Sequence, residues 1–319
     1  MSDQALSPSA PARVKMPSVP GVVMALALLF ILFAALSPGF LTTGNLSNIL
    51  VQSVILLLLA LPMTLIIMTE GLDLSMGAVL TLASLVLALT IISTGSLLLA
   101  FAAAVGVGLA FGLLNGWLVS MLSIPPFVAT LGTMGAAQGL ALLVSDGQSV
   151  VGIPRYVRQI YSGDVIGIPN PILIGIGFYA LFHVLLYHTR FGTYICALGG
   201  NRDALTLAGV KWKRLLISVY MLGGAMAGVA ALLMTARMNA GHPTAAIGME
   251  FDAIAAVALG GTSFEKGNGW VLGTLLGVLT VGVLRNGLNL MAVPSSVQVT
   301  CIGVLVIFAL LLDGMRSKS

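Results

Sequence analysis

The chain has 319 residues and a mass of 32.8 kDa; 58% of the residues are hydrophobic, 8% are charged, and the formal net charge is +4. Soluble domains carry about 25% charged residues. With a mean hydropathy of +1.09, the composition excludes a soluble enzyme, a disordered chain and a coiled coil, and leaves an all-α polytopic membrane protein with room for roughly ten spans.

Residues 1–18 are rich in Ser, Pro and Ala and read as a disordered N-terminus without a cleavable signal peptide. The first span is predicted from Val19 to Leu36, ended by Ser37-Pro38-Gly39. The second runs from Leu46 to Thr69 with Pro62 inside it, and the third from Leu74 to Ser93 after the polar break Glu70-Gly71-Leu72-Asp73. Leu97 to Val119 is the fourth span. Ser123-Ile124-Pro125-Pro126 is a stiff turn, and Phe127 to Val144 is the fifth. A polar loop at 145–168 precedes the sixth span, Ile172 to Tyr187. A basic loop at 188–214 precedes the seventh, Leu215 to Ala236, and a further loop covers 237–250. Phe251 to Phe264 is apolar but too short for an upright span and reads as re-entrant or broken. Trp270 to Leu290 and Val297 to Leu312 complete about ten segments.

Positive charge orients this arrangement. With the N-terminus inside, the cytoplasmic segments hold Arg13, Lys15, Arg190, Arg202, Lys211, Lys213, Arg214, Lys266, Arg316 and Lys318, whereas the outer loops hold Arg155, Arg158 and Arg237. That bias predicts both termini in the cytoplasm, with residues 314–319 as a cytoplasmic tail.

Glycines recur at i, i+4 in Gly108/Gly112/Gly116, Gly135/Gly139, Gly224/Gly228 and Gly269/Gly273/Gly277, a spacing that lets helices approach closely in lipid. The apolar spans also contain Gln52, Asn115, Gln138, Arg285, Asn286 and Asn289. Polar groups at membrane depth are costly, so the amides either bond between helices or face a pathway. Arg285 either reaches an interface or finds an acceptor. Asp73 or Ser75 can cap the third helix, and either can face the pathway. The acids sit at loops and span ends. The three histidines match no metal-ligand spacing, Cys196 and Cys301 form no framework, and no phosphate-binding loop is present, so the chain is expected to bind no metal or cofactor.

In the basic loop, Asn201 is a good N-cap, Asp203 suits a first turn and Gly209 a C-terminal stop. A two-turn helix over 200–209 follows, with Leu205, Ala208 and Leu207 forming an apolar side. It is too short to stand alone and needs a surface, in its own bundle or on a partner.

Five stretches carry a resemblance to a known family: Glu70-Gly71-Leu72-Asp73-Leu74-Ser75-Met76-Gly77, Thr130-Leu131-Gly132-Thr133-Met134, Gly199-Gly200-Asn201 with Ala208-Gly209-Val210, Ala258-Leu259-Gly260-Gly261-Thr262-Ser263, and Asn286-Gly287-Leu288-Asn289-Leu290. On these the chain, from about residue 40 to residue 313, resembles the membrane permease of bacterial ABC importers for simple sugars. Glu70 and Arg285 depart from the family pattern, which often has Gly and Asn there. The resemblance implies a permease domain over 19–313 in the inner membrane, without catalytic residues or affinity for nucleic acid. A separate ATPase subunit would hold ATP and Mg, a periplasmic binding protein would deliver a sugar or sugar-like solute, and a second permease copy or homologous permease would complete the pore. It implies an ATPase-coupling loop at Gly200, Asn201, Arg202, Asp203, Leu205, Ala208 and Gly209. The buried polar groups Gln52, Asp73, Ser75, Asn115, Gln138, Asn286 and Asn289 are then expected along the pathway or its gates. An ion-coupled secondary transporter or a channel would share the spans and the short helix, but an ion-coupled carrier usually places acids in mid-membrane. A membrane enzyme would need paired catalytic residues at one depth, and none appear.

Overall fold

The computed structural model describes residues 20–263, 267–294 and 296–304. Twelve named helices follow one another: α1 (Pro20–Leu36), α2 (Thr43–Met68), α3 (Met76–Thr94), α4 (Leu97–Ser120), α5 (Pro126–Ser145), α6 (Arg155–Ser162), α7 (Asn170–Tyr187), α8 (Arg190–Gly200), α9 (Arg202–Leu207), α10 (Trp212–Met238), α11 (Met249–Leu259) and α12 (Val271–Leu290). Residues 296–304 are also helical. Seven of the helices, α2, α3, α4, α5, α7, α10 and α12, are long and apolar enough to cross a membrane; α1 is apolar but shorter. The chain is therefore an all-α, multi-pass membrane protein. Arg13, Lys15, Lys266, Arg316, Lys318 and the second half of the expected last span lie outside the described residues.

The sequence sets the helix ends. Thr42 and Ser96 accept bonds from the backbone N–H groups of Asn45 and Leu99, and Gly95 closes α3 in the left-handed conformation with φ of 67°. Pro126 and Pro171 sit in first turns, where no N–H is needed.

Two expected loops contain structure. Residues 145–168 hold α6, which buries Val157, and the start of a two-stranded antiparallel hairpin of Asp164–Val165 and Ile168–Pro169. Residues 188–214 hold α8 as well as α9, because Thr189 caps a helix that the polarity of the loop masks. The loop expected at 237–250 begins two residues later, after Met238, so Arg237 belongs to the last turn of α10.

α2 is buried on every side from Ser53 to Met68 and forms the axis of the bundle. A helix apolar all round can be used this way only deep inside a protein or a membrane. α12, α10, α11 and α7 pack around it, and α3 packs on α4, α10 and α5; α4, α5 and α7 turn large apolar side chains outward, among them Leu99, Leu143 and Ile176.

Small residues explain the tightest contacts. Along α4 and α10, Gly108 and Gly224 face each other backbone to backbone. A Cβ on Gly112 would lie 2.7 Å from Met221 Cα, and one on Gly228 would lie 2.6 Å from Val105 Cα. Gly273 and Gly277 meet the backbone of Gly260 and Ala256 in the same way, joining α12 to α11. Gly135 and Gly139 are a correction to the packing expectation: nothing lies within 4 Å of a Cβ placed on either, because their face of α5 meets no neighbour. Hydroxyl pairs bridge other helices, Thr64 with Thr274 at 2.6 Å and Ser84 with Thr235 at 2.8 Å.

Candidate functional site

The seven polar residues expected along a pathway fall into two places and one outlier. The first place is a sealed network where the chain turns from α2 into α3. Asp73 Oδ1 accepts from the Ser75 N–H at 2.9 Å and from the Ser75 hydroxyl at 2.6 Å. Asn115 of α4 donates to Ser75 Oγ at 2.8 Å and more weakly to Asp73 Oδ1 at 3.4 Å. The Thr133 hydroxyl of α5 donates to Asn115 Oδ1 at 2.7 Å. All four side chains are buried. Neither candidate caps the first turn of α3: Ser75, at the N-cap position, makes no side-chain cap bond, and Asp73 closes an Asx turn onto the Ser75 N–H just before the helix. Nearby, the Tyr220 hydroxyl of α10 donates to the Leu72 carbonyl at 3.2 Å.

The second place is a cavity of about 340 Å³ at the end of the bundle that carries α6 and the hairpin. Gln52 of α2, Asn286 and Asn289 of α12, Arg237 of α10 and Asp252 of α11 line it together with Arg285. Asn286 is tied back to Asn45 by a reciprocal amide pair, 2.9 and 3.0 Å. Gln52 donates to Asn48 at 2.8 Å, and Asn289 accepts from Gln298 at 2.8 Å.

Gln138 is the outlier. Its amide donates to the Pro243 carbonyl at 3.0 Å, tying α5 to the segment between α10 and α11.

Arg285 finds an acceptor: its guanidinium pairs with Asp252, the one ion pair among the described residues. The Arg285 side chain is 41% exposed and that of Asp252 8%. Arg285 Nε is buried with no hydrogen-bond partner among the described residues. The acids sit at turns and helix ends, as expected, yet Asp73, Glu250 and Asp252 are all buried, the last two because α11 begins at Met249 and carries its first turn into the bundle. Glu250 lies against Gly77 of α3 and accepts from the Gly248 N–H at 3.2 Å. Sequence reasoning missed Asp252, Glu250, Asn45 and Thr133. For Asp252 a signal existed, since an arginine inside an apolar span calls for an acid at similar depth.

The short helix of the basic loop is α9. Asn201 caps it, accepting from the Ala204 N–H at 2.9 Å; Asp203 is in the first turn, and Gly209 has φ of 74°. Gly200 ends α8, so α9 is shorter than predicted. Its apolar side is corrected too. Only Leu205 is buried, whereas Ala208 is exposed and Leu207 is 90% exposed, since a helix this short turns a single residue inward. Arg202 stacks over the Trp212 ring at 4.8 Å, linking α9 to the start of α10.

The chain matches the family model "Branched-chain amino acid transport system / permease component" over residues 45–310. It is 39% identical to "Ribose import permease protein RbsC" of Bacillus subtilis (strain 168), covering 93% of each chain. It is 37% identical to "D-allose transport system permease protein AlsC" of Escherichia coli (strain K12), covering 93% of this chain and 92% of the relative. With "L-arabinose ABC transporter permease protein AraH" of Azospirillum brasilense the identity is 32%, over 99% of this chain and 96% of the relative. No solved structure matches. A multi-pass bundle with the motifs of a permease, matched almost end to end by permeases, belongs to this family of transport-system permease components.

Proposed function

We propose that the chain is the transmembrane permease subunit of an ABC importer for a sugar or sugar-like solute. The observation that carries this reading is the near end-to-end similarity to permeases named for ribose, allose and arabinose. The polar cavity at one end of the bundle supports it, because amides and a guanidinium suit hydroxyl groups better than bare ions.

In this reading the subunit performs no catalysis. A separate ATPase subunit holds ATP and Mg, a periplasmic binding protein delivers the solute, and a second permease copy or homologous permease completes the pore. Both termini lie in the cytoplasm of a bacterial inner-membrane protein with ten membrane segments over 19–313, α11 being the short one; residues 1–18 and 314–319 are cytoplasmic ends. The cavity then faces the periplasm, and Gln52, Asn286 and Asn289 contact the solute or its gate. Asp73, Ser75, Asn115 and Gln138 hold the gate helices. α9 and its flanks, Gly200, Asn201, Arg202, Asp203, Leu205, Ala208 and Gly209, meet the ATPase. The exposed Leu207 supplies an apolar contact there.

Reconstitution of the permease with an ABC ATPase subunit and a sugar-binding protein tests the reading. ATP-dependent uptake of a sugar into liposomes is the expected result. Gly209→Pro and Asp203→Arg should leave the complex assembled while uncoupling ATP hydrolysis from uptake. Parental transport by both variants would remove α9 from the coupling surface. Periplasmic labelling of a cysteine placed at Lys211 would overturn the orientation.

A further inference from the structure

The Asp252–Arg285 pair is not needed to hold α11 on α12. Gly273 and Gly277 already bring the two helices into backbone contact. An apolar pair of similar volume would serve that wall as well or better, since taking two charges out of water is costly. Nor is the pair sealed. Arg285 is 41% exposed on its side chain and lines the cavity with Asp252. One Nη of Arg285 is occupied by one carboxylate oxygen, Oδ2. Neither Asp252 Oδ1 nor the other Nη of Arg285 has a partner among the described residues, and neither is a buried atom. The pair therefore presents a rigid acceptor beside a rigid donor. The neighbouring Asn286 amide is already engaged by Asn45.

We propose that Asp252 and Arg285 form a solute-contacting, specificity-determining clamp that grips two adjacent hydroxyls of a neutral polyol, one donating to Asp252 and its neighbour accepting from Arg285. Asp252 also orients the guanidinium, whose planar fork gives the contact its direction. A cavity of about 340 Å³ is at the small end of the ~300–1,000 Å³ range of small-molecule sites, which suits a single sugar ring. This rests on the importer reading, and adds the two side chains that choose the solute within the membrane subunit.

The test reads cavity occupancy directly. In the reconstituted complex, Ile247, which lines the cavity, is changed to cysteine in a Cys196→Ser/Cys301→Ser background, and its alkylation is followed against D-ribose, D-allose and L-arabinose. At least one sugar should protect it. Asp252→Asn, Arg285→Gln and Arg285→Lys should each raise the half-protecting concentration by about tenfold or more, the effect of losing a hydrogen bond to a charged group. Arg285→Lys keeps the charge and the ion pair, so it assembles and isolates the loss of the fork. The exchanged pair Asp252→Arg/Arg285→Asp should assemble without recovering protection. Parental protection in Arg285→Lys or in the exchanged pair would show a mere structural tie and overturn the proposal. So would a parental complex that imports one of these sugars without any protection. A parental complex with no ATP-dependent uptake at all would instead count against the importer reading.

Discussion

The sealed network and the open cavity use similar residues to opposite ends. Around Asp73, every donor faces an acceptor: Ser75 and Asn115 converge on the carboxylate, and Thr133 holds the Asn115 carbonyl. Three segments of chain are fixed at one buried point, and every bond to the carboxylate ends on Oδ1. Around Arg285, one acid meets one base and the rest of both groups faces a void. A polar cluster buried between helices is architecture, because breaking it leaves a group that lipid cannot satisfy. One that opens on a cavity is available for traffic.

Substitutions can break that contrast, and the largest effect is expected in the sealed network. Asn115→Leu strips a donor from a buried acid and the acceptor from Thr133. It should cost about 3 kcal/mol, read as a clear fall in thermal unfolding temperature in detergent. If the melting curve is unchanged, the network is not architectural. Next, Gly77→Ala would drive a methyl group into Glu250 and to within 2.6 Å of the Ala246 carbonyl oxygen. A loss of about 2 kcal/mol is expected from such overpacking, recoverable by Glu250→Ala if the side chain is the obstacle. Arg285→Leu sharpens the contrast from the other side. Membrane assembly should survive while sugar uptake falls; the Asp252 carboxylate, left without its partner but open to the cavity, should cost about 1–2 kcal/mol of melting stability. The smallest effect is expected at Gln138→Ala, which removes one part-buried tether to Pro243 at a cost of about 1 kcal/mol or less. Equal melting losses for Asn115→Leu and Gln138→Ala would dissolve the distinction.

The spans were legible in the sequence because hydropathy acts along the chain, and so were Asn201 and Gly209, whose capping roles are local. Pairings were not legible. Arg285 called for an acid at its depth, but one sequence does not say which acid lies opposite it, 33 positions away, nor does it tie Asn45 to Asn286, 241 apart. The glycines make the same point. Gly108/Gly112 and Gly135/Gly139 share one spacing, yet the first pair touches α10 and the second touches nothing. Periodicity fixes which residues share a face; it does not say whether a neighbour lies opposite. Polarity likewise hid α8, whose apolar residues Ile195 and Leu198 are buried despite its position in a basic loop.

The contact between Gly108 and Gly224 has a mechanical meaning. Backbones pressed together without intervening side chains have no rotamers to absorb a displacement, so α4 and α10 swing as a single strut. α10 has 27 residues, and at 1.5 Å per residue it is about 40 Å long. Trp212, stacked beneath Arg202, stands at one end; at the other, Gly241 is hydrogen-bonded to Val150 just beyond the helix. A tilt of about 5° imposed at the tryptophan would move the far tip by about 3.5 Å over that length. That distance is enough to make or break a hydrogen bond, so a tilt of that size would reach the cavity end of α10 as a change in its rim.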